Sequence, residues 1–285
     1  GQRGGEGVGW GGRGVKEKGG GDRMRSKQLL GPGRMGTAVN RGDPSSVTAD
    51  AAVADVAADV PADVHEGTVL RTVADAAPDP ATVFVSNSMP VRDLDRFVPP
   101  STTNLTALGN RGVSGIDGIV SSALGAGSAT TDDLTLVVGD LALYHDSNGL
   151  LAVDRCAVDV TIVLINNDGG GIFHKLPVES FDPPFTDSFK TPHGLAFEPL
   201  STLYGLEYVR IDAREAGSDT VGDTAADDDG TDDPSAALAA AYTHAHEIDG
   251  SHLIEVRTDA EASQRIRERL LDAVERAVHG GDESS

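Results

Sequence analysis

Two short polar loops carry the side chains best suited to binding a ligand. Asp140 follows the apolar run 134–138, Asn167 follows the apolar run 160–165, and the two residues lie 27 positions apart. Because the carboxyl ends of neighbouring parallel strands meet at one edge of a sheet, this arrangement brings a carboxylate and an amide oxygen together. Two oxygen ligands beside glycine-rich backbone suit a hard divalent cation that holds a diphosphate.

The predicted cation ligands are the carboxylate of Asp140, the side-chain oxygen of Asn167 and the main-chain carbonyl of Gly169. Two diphosphate oxygens and water would complete the octahedron that Mg²⁺ prefers, and Mn²⁺ is the alternative cation. Each loop also has an ordinary structural interpretation, since Asp140 could cap the following helix and residues 166–169 could form a turn. Their joint occurrence, each after a strand, favours the metal site.

Hydrophobic patterning predicts the elements that position these loops. Apolar β-branched runs alternate with segments of helical period, which indicates an α/β fold with a parallel six-stranded sheet and helices on both faces. The predicted strands are residues 82–86, 104–108, 134–138, 160–165, 206–211 and 252–256. The predicted helices are residues 64–77, 91–97, 117–125, 147–156, 197–204, 235–246 and 260–278.

Composition divides the chain into two parts. Within residues 1–62, residues 1–41 are a glycine- and arginine-rich tail whose lack of an apolar period predicts disorder. Residues 42–62 are an alanine- and aspartate-rich linker with some helical tendency. Residues 63–280 are predicted to form the sheet domain. Within that domain, residues 215–234 are an insert rich in Asp, Gly and Thr, which is predicted to be a solvated surface loop.

Charge is distributed unevenly along the chain. Residues 1–41 hold nine Lys or Arg and three acidic residues, so the remainder has 42 acidic and 14 basic residues and a formal net charge of −28. Such a charge argues against binding nucleic acid through its phosphates. It resembles the surface of proteins from salt-loving archaea, where high ionic strength screens self-repulsion.

Cysteine usage and hydropathy bear on the cellular compartment. Cys156 is the only cysteine, so an internal disulfide is impossible and a reducing cytosol is favoured. No apolar run approaches the roughly 18 residues of a membrane-spanning helix, and the N-terminus lacks a signal-peptide core. The prediction is a cytoplasmic protein without a membrane partner.

Four motifs carry a family resemblance: VSNSMPVR at 85–92, NRGVSGIDG at 110–118, GDLA at 139–142 and NDGGGIF at 167–173. Over about residues 65–278 the chain resembles the 2-succinyl-5-enolpyruvyl-6-hydroxy-3-cyclohexene-1-carboxylate synthases, which are thiamine-diphosphate enzymes of menaquinone biosynthesis. The NRGVSGIDG string separates this family from acetolactate synthases and simple decarboxylases. The resemblance implies the domain that holds the cofactor diphosphate, with thiamine diphosphate and Mg²⁺ as cofactors.

The implied reaction is a decarboxylation of 2-oxoglutarate followed by 1,4-addition of the succinyl carbanion equivalent to isochorismate. This activity belongs to the transferases of aldehyde or ketone residues. The alternatives within the same cofactor class are another 2-oxoacid decarboxylase or an acetolactate-type synthase. A non-catalytic module that keeps the fold is the alternative from a different class.

The resemblance also implies roles for individual residues. Ser88, Arg92 and Arg111 match positions that contact substrate carboxylates or the bound intermediate, a task that suits the planar arginine fork. Ile116 matches the aliphatic position that supports the bent cofactor. Cofactor-binding positions are matched by Arg111, Ile116, Gly139, Asp140, Leu141, Ile172, Phe173 and Leu176. A solvated cation for Arg92 and ordinary core packing for the apolar residues are the alternatives.

The resemblance covers about the final third of a family member. A full enzyme also has an N-terminal domain that grips the aminopyrimidine and supplies a glutamate to it, and Glu66 is not expected to replace that glutamate. We therefore expect the diphosphate-binding part of the enzyme, inactive alone, completed by a homo-oligomer or by a separate pyrimidine-domain polypeptide. A truncated gene product is the alternative.

Overall fold

The computed structural model describes residues 64–112, 115–214 and 233–279. Its strands are β1 (Ala81–Val85), β2 (Leu105–Leu108), β3 (Asp133–Gly139), β4 (Thr161–Asn166), β5 (Glu207–Asp212) and β6 (His252–Arg257). Its α-helices are α1 (Glu66–Ala76), α2 (Met89–Phe97), α3 (Ile119–Gly127), α4 (Asp140–His145), α5 (Leu151–Cys156), α6 (Glu198–Tyr204), α7 (Pro234–Glu247) and α8 (Ala260–His279). Short 3₁₀ or π turns occupy Ser147–Leu150, Gly171–Lys175, Pro177–Ser180 and Thr186–Lys190.

The strands pair in parallel to form one six-stranded sheet in the order β2-β1-β3-β4-β6-β5. The four inner strands are almost wholly buried, whereas the outer strands β2 and β5 keep exposed and half-buried residues. This burial is typical of a parallel sheet covered on both faces, because its inner strands meet no solvent. The predicted α/β fold with a six-stranded parallel sheet is confirmed.

Two hydrophobic layers cover the two faces of the sheet. The first layer includes Ile119 of α3 and Leu136 of β3. The second includes Leu70 of α1, Val137 of β3 and Leu238 of α7. Leu136 and Val137 belong to different layers because successive side chains of a strand point to opposite faces. Helices therefore pack on both faces, as the sequence predicts.

Most predicted elements lie within a few residues of the observed ones. Hydrophobic patterning does not predict α4, because its six residues are too few to show a helical period. The last two residues of the predicted insert, Asp233 and Pro234, cap and begin α7. Residues 1–62 and 215–232 lie outside the described residues, so the disordered tail and the rest of the insert stay predictions. In the part of the chain that is described, no helix is both long and apolar enough to cross a bilayer.

The strand order brings three loops to one edge of the sheet. The chain passes from β1 to β2 on one side of β1 and returns to β3 on the other side. Such a reversal leaves a crevice at the carboxyl ends of the strands, which is where ligands bind in open α/β sheets. The loops after β1, β3 and β4 meet at this crevice.

Candidate cofactor site

A cavity of about 180 Å³ opens at the carboxyl ends of β1, β3 and β4. Most of its lining comes from residues 86–90, 139–142 and 169–173. Four further residues complete the lining: Glu66, Ile116, Ile165 and Asn167. The cavity thus joins the two polar loops in which the sequence predicts cation ligands.

Asp140 is the first residue of α4 and is only 3% exposed. Its Oδ1 accepts a hydrogen bond from Leu141 N at 2.6 Å, and its Oδ2 accepts one from Gly169 N at 3.0 Å. Burial raises the pKa of the Asp140 carboxyl, while these N–H groups and His193 oppose the rise. The bond from Gly169 joins the two loops directly.

Asn167 has a buried amide oxygen without a hydrogen-bond partner. Its Nδ2 donates to Glu66 Oε1 at 2.6 Å, whereas no described residue pairs with its Oδ1. An unpaired buried acceptor costs about 1–3 kcal/mol, so its presence in a native fold calls for a physical reason. A bound cation supplies one, because amide oxygens are among the hard ligands of divalent cations.

Glycines let the loop after β4 approach its neighbours closely. Gly169 has a φ of +136°, and a Cβ at this position would lie 2.1 Å from the carbonyl oxygen of Lys190. A Cβ on Gly171 would lie 2.5 Å from Nδ2 of Asn167. The loop is glycine-rich because main chain and a predicted ligand side chain occupy the space that other side chains would need.

Asp168 anchors the segment at His193 and Gly194 to this loop. It has a φ of +59°, and its Oδ1 accepts hydrogen bonds from His193 N at 3.0 Å and Gly194 N at 2.8 Å. Partial burial alone would raise the pKa of the Asp168 carboxyl, but these donors lower it. The anchored segment places His193 Nε2 at 3.2 Å from Asp140 Oδ2. A histidine therefore contacts the predicted carboxylate ligand.

Two arginines are attached to residues that line the cavity. Arg92 Nη1 donates to the carbonyl oxygen of Ser88, whose φ of +73° is strained for a serine. Arg111 Nη1 donates to Asn87 Oδ1 at 3.1 Å, and Asn87 Nδ2 donates to the carbonyl oxygen of Gly115 at 2.6 Å. Both guanidinium groups stand beside the loop that follows β1, although neither arginine belongs to the lining.

The cavity collects most of the predicted site residues. Those that line it are Ser88, Ile116, Gly139, Asp140, Leu141, Asn167, Gly169, Ile172 and Phe173. Those outside the lining are Arg92, Arg111 and Leu176. Leu176 is 44% exposed and follows the 3₁₀ turn Gly171–Lys175. Ile116 lines the cavity and also packs against the core layer that contains Ile119, so its two interpretations are compatible.

Glu66, Asn87 and His193 have side chains beside the predicted ligands and arginines but were not among the predicted site residues. Asn87 lies within the VSNSMPVR motif, so that string could have indicated it. No sequence motif indicates Glu66, because an acidic residue at the start of a helix usually stabilises the helix dipole. His193 reaches Asp140 only through the turn that Asp168 fastens, and sequence spacing does not reveal such a turn.

The predicted cation ligands carry little negative charge. Among the described residues, no group of three or more His, Cys, Asp or Glu side chains could hold a metal ion. The predicted set instead combines one carboxylate, one amide oxygen and one carbonyl. A set with a single formal negative charge is a weak cation site alone, and a diphosphate would add both charge and oxygen ligands.

Proteins of similar sequence share one name. Over 224 residues the chain is 71% identical to the 2-succinyl-5-enolpyruvyl-6-hydroxy-3-cyclohexene-1-carboxylate synthase of Halorubrum lacusprofundi, covering 79% of this chain and 35% of that protein. The synthase of the same name from Halobacterium salinarum is 59% identical over 214 residues, covering 75% and 33%. That of Roseiflexus castenholzii is 44% identical over 209 residues, covering 73% and 32%. The chain is homologous to the C-terminal part of these synthases.

The predicted resemblance to this synthase family is thereby confirmed. The chain spans about a third of the length of these curated synthases. No family model matches the chain. A similar solved structure is the thiamine diphosphate-dependent 4-hydroxybenzoylformate decarboxylase of Rhodococcus jostii RHA1, with a TM-score of 0.50 and 19% identity over 70% of this chain and 33% of that one. This likeness shows a shared fold.

Proposed function

We propose that this synthase relative binds the diphosphate of thiamine diphosphate through Mg²⁺, with Mn²⁺ as the alternative cation. The protein ligands would be the Asp140 carboxylate, the Asn167 side-chain oxygen and the Gly169 carbonyl. The observation that carries the proposal is the buried Asn167 Oδ1, which has no partner among the described residues, in a residue that lines the same cavity as Asp140. The glycine backbone beside it supports close approach of a diphosphate.

The remaining site residues would orient and shield the reactants. When bound, thiamine diphosphate supplies a carbon nucleophile that adds to 2-oxo acids. Ile116, Ile172 and Phe173 contribute apolar lining, which excludes water and strengthens electrostatic contacts inside the cavity. Arg92 and Arg111 stand beside the cavity, where they can hold substrate carboxylates through charge-assisted hydrogen bonds. Ser88 adds a hydroxyl-bearing residue to the lining.

The proposed overall reaction is decarboxylation of 2-oxoglutarate and 1,4-addition of the succinyl carbanion to isochorismate. The support is the synthase name shared by relatives at 44% to 71% identity. The two arginines agree with this proposal, because both substrates are dicarboxylates. Another 2-oxoacid decarboxylase or an acetolactate-type synthase would instead accept pyruvate or 2-oxobutyrate in place of isochorismate.

Activation of the aminopyrimidine requires a glutamate that is free to bind it. Within the described lining of the cavity, Glu66 is the single glutamate, and Asn167 and Arg267 already engage both of its carboxylate oxygens. We therefore propose that a pyrimidine-binding domain completes the active site. That domain could belong to the same polypeptide, to another copy of it, or to a separate polypeptide.

Calorimetry with thiamine diphosphate tests the cofactor proposal. We expect binding in the presence of Mg²⁺ and none after Asp140→Ala, because the remaining protein ligands carry no formal negative charge to hold the cation. Asp212→Ala is the matched control, since Asp212 also ends a parallel strand but pairs with Arg214 at 3.1 Å at the far edge of the sheet. Mg²⁺-dependent binding that survives Asp140→Ala would contradict the metal assignment.

A turnover assay tests the reaction. The 285-residue chain alone should not consume 2-oxoglutarate and isochorismate, and addition of a pyrimidine-binding domain from a relative should restore turnover. Exchange of isochorismate for pyruvate distinguishes the synthase from an acetolactate-type enzyme. A chain that binds neither thiamine diphosphate nor Mg²⁺ would instead be a non-catalytic module.

A further inference from the structure

We propose that Glu66 is a positioning residue, which fixes the side-chain amide of Asn167 so that its oxygen remains available to the cation. This inference rests on the proposed function and extends it to a residue outside the predicted ligand set. Glu66 does not contact the cation in this proposal. Glu66 binds the NH₂ end of the Asn167 amide and so leaves the oxygen end free for the cation.

The geometry around Glu66 leaves its carboxylate little freedom. Glu66 is the first residue of α1 and is 1% exposed. Its Oε1 accepts a hydrogen bond from Asn167 Nδ2 at 2.6 Å, and its backbone N donates to Ser263 Oγ of α8 at 3.3 Å. Its Oε2 accepts from Arg267 Nη2. Each carboxylate oxygen therefore has its own donor, which fixes the plane of the group.

Arg267 holds two carboxylates at once. It is 2% exposed, and besides Glu66 it binds Asp93 of α2, with Nε at 2.9 Å from Asp93 Oδ1. Burying such charges costs several kcal/mol per ion in desolvation, so an ion cluster of this kind is weak evidence for stability. A role in orienting a ligand side chain gives a reason for the cluster to lie against the cavity.

Hydrogen-bond polarity decides which way Asn167 turns. Both oxygens of Glu66 accept hydrogen bonds, so Asn167 must direct its NH₂ group at Glu66. The Asn167 oxygen is then left on the other side of the amide, buried and without a partner among the described residues. Coordination of a cation requires this orientation, because the NH₂ end of an amide cannot bind a metal.

The substitution Glu66→Gln should reverse the orientation. Arg267 needs an acceptor, so the new amide should turn its oxygen to Arg267 and its NH₂ group to Asn167. Asn167 would then turn its own oxygen toward residue 66 and present NH₂ to the cation. Glu66→Asp tests whether the length of the side chain matters. It keeps the negative charge beside Arg267 but shortens the side chain by one methylene, so the carboxylate no longer reaches Asn167.

Asp93→Asn is the matched control. It disturbs the same buried arginine and removes one carboxylate, yet Asp93 makes no contact with Asn167 in the structure. Thermal unfolding should therefore show lower stability for both Glu66→Gln and Asp93→Asn. A purely structural role for Glu66 predicts equal effects of the two substitutions on metal binding.

The measurement is Mn²⁺ affinity in the presence of thiamine diphosphate, followed by the electron paramagnetic resonance of free Mn²⁺. We expect Glu66→Gln and Glu66→Asp to weaken Mn²⁺ binding about 10- to 100-fold, the effect typical of residues that orient metal ligands. Asp93→Asn should bind Mn²⁺ as the unchanged chain does. Equal Mn²⁺ affinity of Glu66→Gln and the unchanged chain would overturn the inference.

A second readout needs no cofactor and separates this inference from the proposed function. The NH₂ proton signals of Asn167, identified by their loss in Asn167→Asp, should show a strong hydrogen bond in the unchanged chain and in Asp93→Asn but not in Glu66→Gln. Absence of that bond in the unchanged chain refutes the role of Glu66. Failure of the unchanged chain to bind thiamine diphosphate and Mn²⁺ refutes the proposed function, while the NH₂ signals still report whether Glu66 orients Asn167.

Discussion

Gly169 contributes to the candidate site through both of its main-chain polar groups. Its N–H donates to Asp140 Oδ2 at 3.0 Å, and its carbonyl is a proposed cation ligand. Its φ of +136° directs these groups while the Lys190 carbonyl packs against its Cα. No other residue type adopts this backbone conformation readily, so the identity of the residue and the geometry of the site are linked.

Gly169→Ala should lower stability and abolish Mg²⁺-dependent binding of thiamine diphosphate. The added Cβ would meet the Lys190 carbonyl oxygen at 2.1 Å. The backbone strain alone is on the order of 1–3 kcal/mol, and displacement of the loop adds to it. Chemical denaturation measures the free energy of unfolding, and calorimetry measures cofactor binding.

Gly125→Ala is the control for this substitution. Gly125 lies in α3, and outside that helix's own backbone no heavy atom comes within 4 Å of an added Cβ. Alanine should raise the free energy of unfolding by about 0.5–1 kcal/mol through its helix propensity. Gly169→Ala with the same small gain would show that the close approach at Lys190 is unimportant.

Local motifs explain which site residues could be predicted. Asp140 is held by Leu141 and Gly169, which lie within the two loops that the sequence indicates. Asn167 is held by Glu66, 101 positions away. The sequence could predict both proposed side-chain ligands from their own loops. It could not predict Glu66 as a partner, because nothing before folding relates those two positions.

At the scale of elements, α1 begins with a buried histidine cap. His65 Nδ1 accepts a hydrogen bond from Gly67 N at 3.0 Å, and its ring packs edge-on against Phe97 with centroids 5.0 Å apart. Burial, together with Arg267 and Arg269, lowers the pKa of His65 to about 4. The helix that carries Glu66 is thus capped by a neutral imidazole at physiological pH.

Acidification should therefore destabilise the fold. The unfolded histidine binds a proton near its ordinary pKa of 6.5, whereas the folded one does so only near 4, so the unfolded state holds more protons between these values. The contribution of neutral His65 to the free energy of unfolding is fully present above pH 6.5 and is lost progressively as the pH falls toward 4. The loss is about 3 kcal/mol, since one pKa unit corresponds to about 1.4 kcal/mol. Urea denaturation across this range measures it.

His65→Asn isolates the contribution of this histidine from that of the many carboxyl groups. Asparagine caps helices well and does not titrate. The variant should therefore lose less stability than the unchanged chain over the same pH range. Identical pH profiles of the two proteins would contradict the assignment to His65.

Elements differ in how far sequence patterning could predict them. The strands are runs of β-branched and leucine residues, and the long helices show an amphipathic period, so both could be predicted. The segment from Gly171 to Lys190 could not, because it consists of short 3₁₀ and π turns without a period. Through Lys190 that segment packs against Gly169, in the loop of the proposed metal ligands, so the part of the fold hardest to predict lies against the candidate site.

At the scale of the whole molecule, the chain carries a large excess of negative charge. The chain has 45 acidic residues against 23 Lys and Arg, a formal net charge of −22. Its relatives in Halorubrum lacusprofundi and Halobacterium salinarum fit this composition, because high ionic strength screens repulsion between surface carboxylates.

Thermal stability should accordingly rise with KCl concentration. The Debye length falls from about 30 Å at 0.01 M to about 3 Å at 1 M, so neighbouring carboxylates cease to repel one another. Differential scanning calorimetry over a KCl series measures the melting temperature, and a parallel sucrose series controls for effects that do not involve charge. A melting temperature that does not change with KCl concentration would show that repulsion between carboxylates does not limit stability.

The contact between Glu66 and Arg267 has a consequence for biosynthesis. It joins the first and last helices of the described chain across 201 positions. The ribosome synthesises a protein from its amino end, so Asn167 and the strands around it leave the ribosome before α8. Until α8 docks, the acids of α1 and α2 lack their shared counter-charge. A nascent chain should therefore acquire the proposed metal site only after α8 has left the ribosome and docked.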